Sequence, residues 1–402
     1  MKLSKTIFLI VIFISGILNS SFNMVTPKLF KMGKTSFIEE KLEKNKKINA
    51  KYSIENQVYK EFKIDSIFRN LSHANKFNGC VLVAQHGQIL YKNSFGTANP
   101  LLDEPLKPNS IFQLASVSKT ITGVSVLTLI EQEQIGLDDY FSLYFPDFPY
   151  PNVTIKHLLS HMSGVPDYIK LDSRLYPQDV KYYNNQDAYN AIVSARAPLS
   201  FTPGTKFKYN NSNYALLALL VEKISGETFQ DYVETRIFLP LGMKNSYIAQ
   251  PDQIWSKENR TFGLYNNNQI YPNDRYDGVF GDKGAYSTIE DMFKFDRALY
   301  PDVLLSKHTL DLAFTNNVFD VNKKKQYGLG FRLREDNNNQ KIIFHNGWWH
   351  GYRTAFHRRE QDNSCVIILS NRLYNVVFSK AKELFNVLDN NFASEDAEEE
   401  EE

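Results

Sequence analysis

Apolar residues change their spacing several times along this chain, and each change marks a boundary. Residues 7–18 form an uncharged apolar run behind Lys2 and Lys5. Residues 22–56, as in KLEKNKKINAK, are rich in Lys, Glu and Asn and hold few apolar clusters. In IDSIFRNL (64–71) the apolar positions recur at helical spacing, which predicts a helix. GCVLVAQHGQILYKNSFG (79–96) reads as two strands on either side of His86-Gly87, a hairpin. The region from about 110 to 300 is mostly helical, punctuated by Pro and Gly. Three more strand-like runs follow, QKIIFH, YRTAFHRR and CVIILSN, and a helical pattern covers 377–388. The chain closes on EDAEEEEE, a like-charge run that predicts a solvated, disordered tail.

Strands near both ends with helices between them predict an α+β fold. Its antiparallel sheet is assembled from N- and C-terminal strands, with a mainly helical region packed on one face. The chain therefore divides into a signal peptide or N-terminal anchor (1–21), a flexible linker (22–56), one folded domain (57–392) and the acidic tail (393–402). The first segment has the charged start and short apolar core of an export signal. Its apolar run is short for a bilayer span of about 20 residues, and Asn19-Ser20-Ser21 is an imperfect cleavage site, so membrane attachment through this segment stays open beside cleavage. The expected location is exported, periplasmic or associated with the cell envelope.

Composition narrows the partners. Hydrophobic residues make up 43% and charged residues 23%, and 46 basic against 45 acidic side chains leave a net charge of +1. A chain so balanced lacks the basic footprint of nucleic-acid binding, and no nucleic acid is expected. The two cysteines, Cys80 and Cys365, each open an apolar run. If those strands are antiparallel neighbours, the two thiols lie at opposite ends and cannot bridge.

Candidate chemistry begins at QLASVSKTITGV (113–124), where Ser116 precedes Lys119 by one helical turn at the start of an apolar helical run over 117–134 that stops at Gly136. A serine hydroxyl is a weak nucleophile until a neighbouring base takes its proton. A lysine can serve when burial and nearby cations hold its amine neutral. The plain alternative is an N-cap serine beside a solvated lysine. A second Ser-x-x-Lys, Ser379 with Lys382, lies inside the predicted terminal helix and reads as a solvated face. In FTPGTKFKYNNSNYALLALLVEKISG (201–226), Tyr209 and Asn211 stand at the mouth of a helical run that ends at Gly226; the plain alternative is an N-cap asparagine beside a core tyrosine. In FHNGWWHGYRTAF (344–356), a strand ends in His345-Asn346-Gly347, where a glycine permits close approach of another backbone. A hairpin turn with a surface histidine is the alternative there.

Together these three stretches resemble the serine β-lactamase and penicillin-binding protein superfamily, in its class C β-lactamase, D,D-carboxypeptidase and esterase branch. That branch carries Ser-x-x-Lys, Tyr-x-Asn and Lys- or His-x-Gly in this order. The likeness spans roughly residues 57–390 and includes TIKHLLSHMSGVPDY, FLPLGMKNS, GDKGAYSTIEDMFKF and YGLGF. It implies a β-lactamase/transpeptidase-like fold and acyl transfer through a covalent serine ester, with no cofactor and no metal. Ser116 would be the nucleophile, and Lys119 and Tyr209 would share the proton traffic. Asn211, His345 and Gly347 would position substrate, and the backbone N–H groups of Ser116 and Trp348 would form the oxyanion hole. His157 and His161 invite a metal reading at i, i+4, but no third ligand accompanies them, and the family's structural loop accounts for them.

The third motif departs from the Lys-Thr-Gly or Lys-Ser-Gly of many β-lactamases. His345 is only fractionally charged at neutral pH, and Asn346 has no hydroxyl for a substrate carboxylate. Arg353 on the next strand is a candidate replacement cation or an ordinary exposed arginine. Trp348 and Trp349 suggest an aromatic wall or edge packing. The expected activity is hydrolysis of an ester or peptide-like amide, esterase or D,D-peptidase in type. The acyl substrate is a small molecule or a peptidoglycan-like group, and β-lactam hydrolysis is the weaker option. The alternative from another class is a non-catalytic binding or sensor module.

Overall fold

The computed structural model describes residues 54–390, apart from 255–256, 319–324 and 375. The export segment and the acidic tail lie outside the described residues, as does nearly all of the linker. None of the described helices is long and apolar enough to cross a membrane.

The described chain starts with α1 (Ile54–His73), then β1 (Gly79–Gln85) and β2 (Gln88–Phe95), then a short pair, β3 (Thr97–Asn99) and β4 (Glu104–Pro105). The middle region runs through β5 (Phe112–Gln113), α2 (Ser118–Glu131), α3 (Ile155–Leu159), α4 (Asn185–Ala195), α5 (Asn211–Ser225) and α6 (Phe229–Val233). It continues with β6 (Tyr247–Ile248), β7 (Ala285–Ser287), α7 (Ile289–Ala298) and α8 (Lys307–Ala313). The closing part holds β8 (Gln326–Tyr327), β9 (Arg332–Glu335), β10 (Lys341–Trp349), β11 (Tyr352–Arg359), β12 (Ser364–Ser370) and α9 (Val376–Leu388).

One seven-stranded antiparallel sheet, in the order β2-β1-β12-β11-β10-β9-β8, joins the two ends of the chain. β1 lies against β12 with Gly79 opposite Ser370 and Ala84 opposite Cys365. The antiparallel sheet from both termini is therefore as the sequence predicts. Cys80 pairs in register with Leu369, so the two thiols stand at opposite ends of this ladder, and both are free and buried.

β1 and β12 are buried at every position except Gln85 because both faces of the sheet are covered. On one face Cys80, Leu82, Ala84, Cys365, Ile367 and Leu369 join the core of the helical region. On the other, Val81, Val83, Val366 and Ile368 pack with Ile64 and Phe68 of α1 and with Leu384 and Phe385 of α9. The terminal helices thus complete a layer behind the sheet.

Two hairpins use the same device. His86 and Gly87 have φ of 53° and 74°, and His350 and Gly351 have 40° and 85°. Positive φ at both central residues is the two-residue turn that matches strand twist. The first His-Gly is legible from the strands around it. The second carries the same dipeptide but sits among aromatic residues that blur the end of the strand.

Two features of the middle region differ from the sequence expectation. It contains a three-stranded sheet, β5-β7-β6, whose strands of two or three residues are too short to show a period. Helix α2 also ends at Glu131, before Gly136, because the backbone turns at Gln132 and Glu133 adopts a φ of 57°.

Helix α7 is tied to the sheet by buried charge. Asp296 accepts from Arg297 Nε and from Arg358 Nε on β11, each at 2.9 Å, with all three side chains essentially out of solvent. Removing the shared carboxylate would leave Arg297 buried without a counter-charge and Arg358 with only Glu360, 3.5 Å away. Asp296→Ala is expected to lower unfolding stability by about 3–5 kcal/mol, measured by urea denaturation with circular dichroism.

Candidate active site

Ser116 lies in a 3₁₀ turn, Ala115–Val117, that runs directly into α2. The turn starts from Ala115, which is fully buried and holds a φ of 50°. A left-handed alanine is strained, and such backbone persists only where its surroundings hold it in place. Here β5 and β7 do so. Leu114 N–H donates to Ala285 O at 2.8 Å, and Ala285 N–H donates to Ser118 Oγ at 3.2 Å. Thr354 Oγ1 on β11 donates to Leu114 O at 2.6 Å. No side chain caps the turn, so Ser116 is not spent as an N-cap.

Lys119 has no solvent exposure. Its Nζ lies 3.0 Å from Ser116 Oγ, 2.9 Å from Asn211 Oδ1 and 2.8 Å from Asp282 O. The Tyr209 ring centroid is 4.9 Å away and the Tyr214 ring centroid 5.8 Å. The sequence signals at 116–119 and 209–211 therefore meet in one cage. Helix α5 places Asn211 at its first residue, while its neighbour Asn210 is the N-cap and accepts from Ser212 N–H. Asn211 is thus free to face Lys119. The Tyr209 hydroxyl is buried and has no hydrogen-bond partner among the described residues.

Beneath this cage is a floor of neutral rings. His161 is fully buried, and burial drives its pKa well below the usual 6.5, with Lys119 adding to the effect. Its Nδ1 accepts from Asn210 N–H at 3.2 Å and faces Asn213 Nδ2 at 3.0 Å. The Tyr209 and Tyr327 rings lie 4.3 and 4.8 Å from it. His157 does a separate job. Its Nδ1 accepts from Thr154 N–H in a reciprocal cap at the start of α3. The two histidines do not share a site.

β10 forms the facing wall. Its partner β9 covers only residues 341–344, so the stretch 345–349 has no strand on that side among the described residues. His345 is buried, and burial followed by Arg332 pushes its pKa well below 6.5. Its Nδ1 donates to Asn346 O at 2.7 Å, and its Nε2 lies 3.1 Å from Tyr327 Oη. The imidazole is neutral and supplies no cation. Asn346 faces the other side of the sheet, where Oδ1 meets His357 Nε2 at 2.8 Å.

At Gly347 a Cβ would sit 2.2 Å from Thr354 Oγ1, 2.4 Å from Leu114 O and 3.1 Å from Ser116 N. The backbone that needs this space is the Ser116 turn itself. The paired tryptophans separate: Trp348 is 64% exposed and stacks on Arg353, whose guanidinium is 4.2 Å from its ring. Trp349 points to the site face and donates from Nε1 to Asp277 Oδ1 at 2.5 Å. Arg353 is therefore neither exposed nor near Ser116. It lies against Phe378 of α9 on the far face, where burial brings its pKa down to about 10. Strand alternation puts it there, and the cation beside the cleft is Arg332, 5.1 Å from the Tyr209 ring. The spare Ser-x-x-Lys stays outside: Ser379 is exposed and donates to Val376 O.

Asp282, Lys283, Tyr168 and Arg332 escape the sequence reading as site residues. GDKGAYST bears the one available signal, two glycines bracketing a charged pair, yet a hallmark stretch does not say that a backbone carbonyl meets Lys119. Among the described residues, Asp274, Asp277 and His350 are grouped closely enough to hold a metal ion. Their contacts are those of an ion-paired clamp: His350 Nε2 is 3.2 Å from Asp274 Oδ2 and Nδ1 is 3.2 Å from Asp277 Oδ2.

A family model described as Beta-lactamase matches residues 64–388. The chain is 33% identical over 334 residues to a penicillin-binding protein of Bacillus subtilis (strain 168), covering 79% of this chain and 73% of the relative. It is 24% identical over 303 residues to a D-aminopeptidase of Gluconobacter oxydans (strain 621H), covering 73% and 56%. The crystal structure of a penicillin-binding protein from Bacillus halodurans superposes with a TM-score of 0.70 at 28% identity, covering 81% of this chain and 98% of that one.

Two measurements follow from this geometry. Gly347→Ala drives a methyl into the Ser116 turn. It is expected to slow acylation of Ser116 by about 10²-fold, read as a second-order rate with a serine-reactive probe. The two carboxylates hold the His350 pKa up at about 9 despite its burial. A raised histidine stabilises the folded state fully below its unfolded value of about 6.5, and that contribution is lost as pH rises through about 9. His350→Asn, which keeps a residue tolerant of positive φ, should lower the melting temperature at pH 6. The gap from wild type should close by pH 10.

Proposed function

The chain belongs to the Beta-lactamase family, and from that premise we propose that it is an exported serine hydrolase cleaving a peptide-like amide or an ester through an acyl-enzyme on Ser116. The observation that carries this is the 3.0 Å contact between Ser116 Oγ and a lysine with no solvent exposure. A buried amine ringed by acceptors and bonded to a half-buried hydroxyl is what activation of a serine requires.

In the proposed reaction, Ser116 Oγ attacks the substrate carbonyl carbon and its proton passes into the Lys119–Tyr209 pair. The carbonyl oxygen becomes an oxyanion held by the N–H groups of Ser116 and Trp348. The approach of β10 to Ser116 N at Gly347 supports this assignment, and losing one such donor costs about 10²–10³ in rate. The C–N or C–O bond then breaks, and the pair returns the proton to the leaving amine or alkoxide. Water hydrolyses the Ser116 ester by the same steps in reverse, or another acceptor takes the acyl group. Asn211 orients Lys119 throughout.

The edge of β10 over 345–349, which β9 leaves uncovered, favours an extended, amide-bearing substrate, because such an edge can pair with another backbone. Peptidoglycan-like acyl groups fit that description. The neutral His345 and the averted Asn346 leave Arg332 as the cation for a substrate carboxylate. Reaction with β-lactams is accordingly expected to trail reaction with amides or esters.

Purified protein would be mixed with a fluorophosphonate and, separately, with a fluorescent penicillin, and the intact mass of wild type and Ser116→Ala compared. One adduct per chain, absent from Ser116→Ala, is the expected result. A folded wild type that takes neither reagent would overturn the hydrolase reading and leave a binding module.

A further inference from the structure

Asp282, whose carbonyl holds Lys119, is followed by a second buried lysine. Lys283 has a side chain only 3% exposed; its Nζ is 2.6 Å from Tyr168 Oη, 3.3 Å from Asp282 Oδ2 and 4.7 Å from the Trp349 ring centroid. Tyr168 in turn donates to Asp282 Oδ2 at 3.1 Å. Asp282 is 1% exposed, and its backbone carbonyl is an acceptor for Lys119 at 2.8 Å. The other carboxylate oxygen, Oδ1, is buried and has no hydrogen-bond partner among the described residues.

The turn carrying this pair is rigid. Gly281 and Gly284 hold φ of 95° and 89°, and a Cβ on Gly281 would lie 2.3 Å from Tyr214 O. Thr122 Oγ1 of α2 donates to Gly281 O at 2.8 Å. The carboxylate of the residue that holds Lys119 and the ammonium of the next residue are thus locked together.

A buried carboxylate on the residue whose carbonyl holds Lys119 favours the ammonium form there, the wrong form for a base. An adjacent cation cancels that field. We propose that the Asp282–Lys283 pair sets the protonation balance of Lys119, with Lys283 the positioning residue that neutralises the Asp282 carboxylate. The inference rests on the reading of Ser116 and Lys119 as nucleophile and proton acceptor.

The other groups facing the pocket do not replace Lys283. Asp167, ahead of Tyr168, is a second carboxylate within the field of Lys119 and Asp282. From the β10 side and the loop after α3, His345 and His161 are neutral. Tyr214, Tyr168 and Tyr327 are held protonated by burial. Tyr209 contributes its ring, and Arg332 stands beyond that ring at 5.1 Å. On the outer side, Lys283 also acts on Asp274, whose own carboxylate faces His350.

The test is the pH profile of Ser116 acylation by a fluorophosphonate, compared among wild type, Lys283→Met, Lys283→Arg, Asp282→Asn and the Asp282→Asn/Lys283→Met double variant. Rate should rise with pH as the Lys119–Tyr209 unit loses its proton. In Lys283→Met that rise should move up by about one pH unit, since the uncompensated carboxylate holds the ammonium. In Asp282→Asn it should move down, because Lys283 is left alone. The double variant should return to the wild-type position, and Lys283→Arg should overlay wild type. A merely structural role would lower the rate without moving the profile. Profiles that share one position, or single variants that shift in the same direction, would overturn this proposal while leaving the acyl-enzyme intact. A wild type unlabelled at Ser116 would overturn both.

Discussion

A lysine out of water must have its donors met inside the protein, and much of this structure is arranged around that demand at Lys119. Three acceptors from three separate parts of the chain surround Nζ: the Ser116 hydroxyl, the Asn211 amide and the Asp282 carbonyl. Burying an amine without partners would cost several kcal/mol. The Ser116 turn, the start of α5 and the Gly281–Gly284 turn are therefore bound to one point. None can shift without leaving a buried polar group unmet.

The sheet supplies the second constraint. Gly347 has no room for a side chain because the Ser116 turn lies against it, and that turn holds a left-handed alanine at position 115. The strain persists because β7 fixes the turn on one side and Thr354 of β11 on the other. Strand and turn come from opposite ends of the chain, so pairing of β1 with β12 is a precondition for the site. Burial of both sheet faces, by the helical region and by α1 with α9, makes that pairing secure.

Charge is handled by cancellation. His161 and His345 lie inside the site yet are neutral, because a buried imidazolium beside Lys119 and Arg332 would be repelled as well as desolvated. Asp282 and Lys283 cancel each other. Further out, Asp274 and Asp277 oppose His350 and tie the β10–β11 turn to the loop before β7. The aromatic rings packed among these groups keep water away and make each remaining charge count for more.

The sequence by itself determined the parts that depend on local pattern: the strands near both ends, the first hairpin, the helices behind Ser116 and Tyr209, and the order of the three motifs. These are legible because side-chain period and turn chemistry act over a few residues. It also placed Ser116 and Lys119 on one side of one turn, since residues three apart on a helix are neighbours. Tertiary structure alone decided which acceptors reach Lys119, and that Asp282 offers a carbonyl, which every residue carries. Only the fold reveals that Arg353 faces away and Arg332 toward the cleft, because strand alternation needs a register before it names a face. It alone shows that Lys283 is buried against Asp282, since a lysine beside an aspartate in sequence is ordinarily a solvated pair. Burial, which sets the worth of each charge here, is a property of the packed chain and of no single stretch of it.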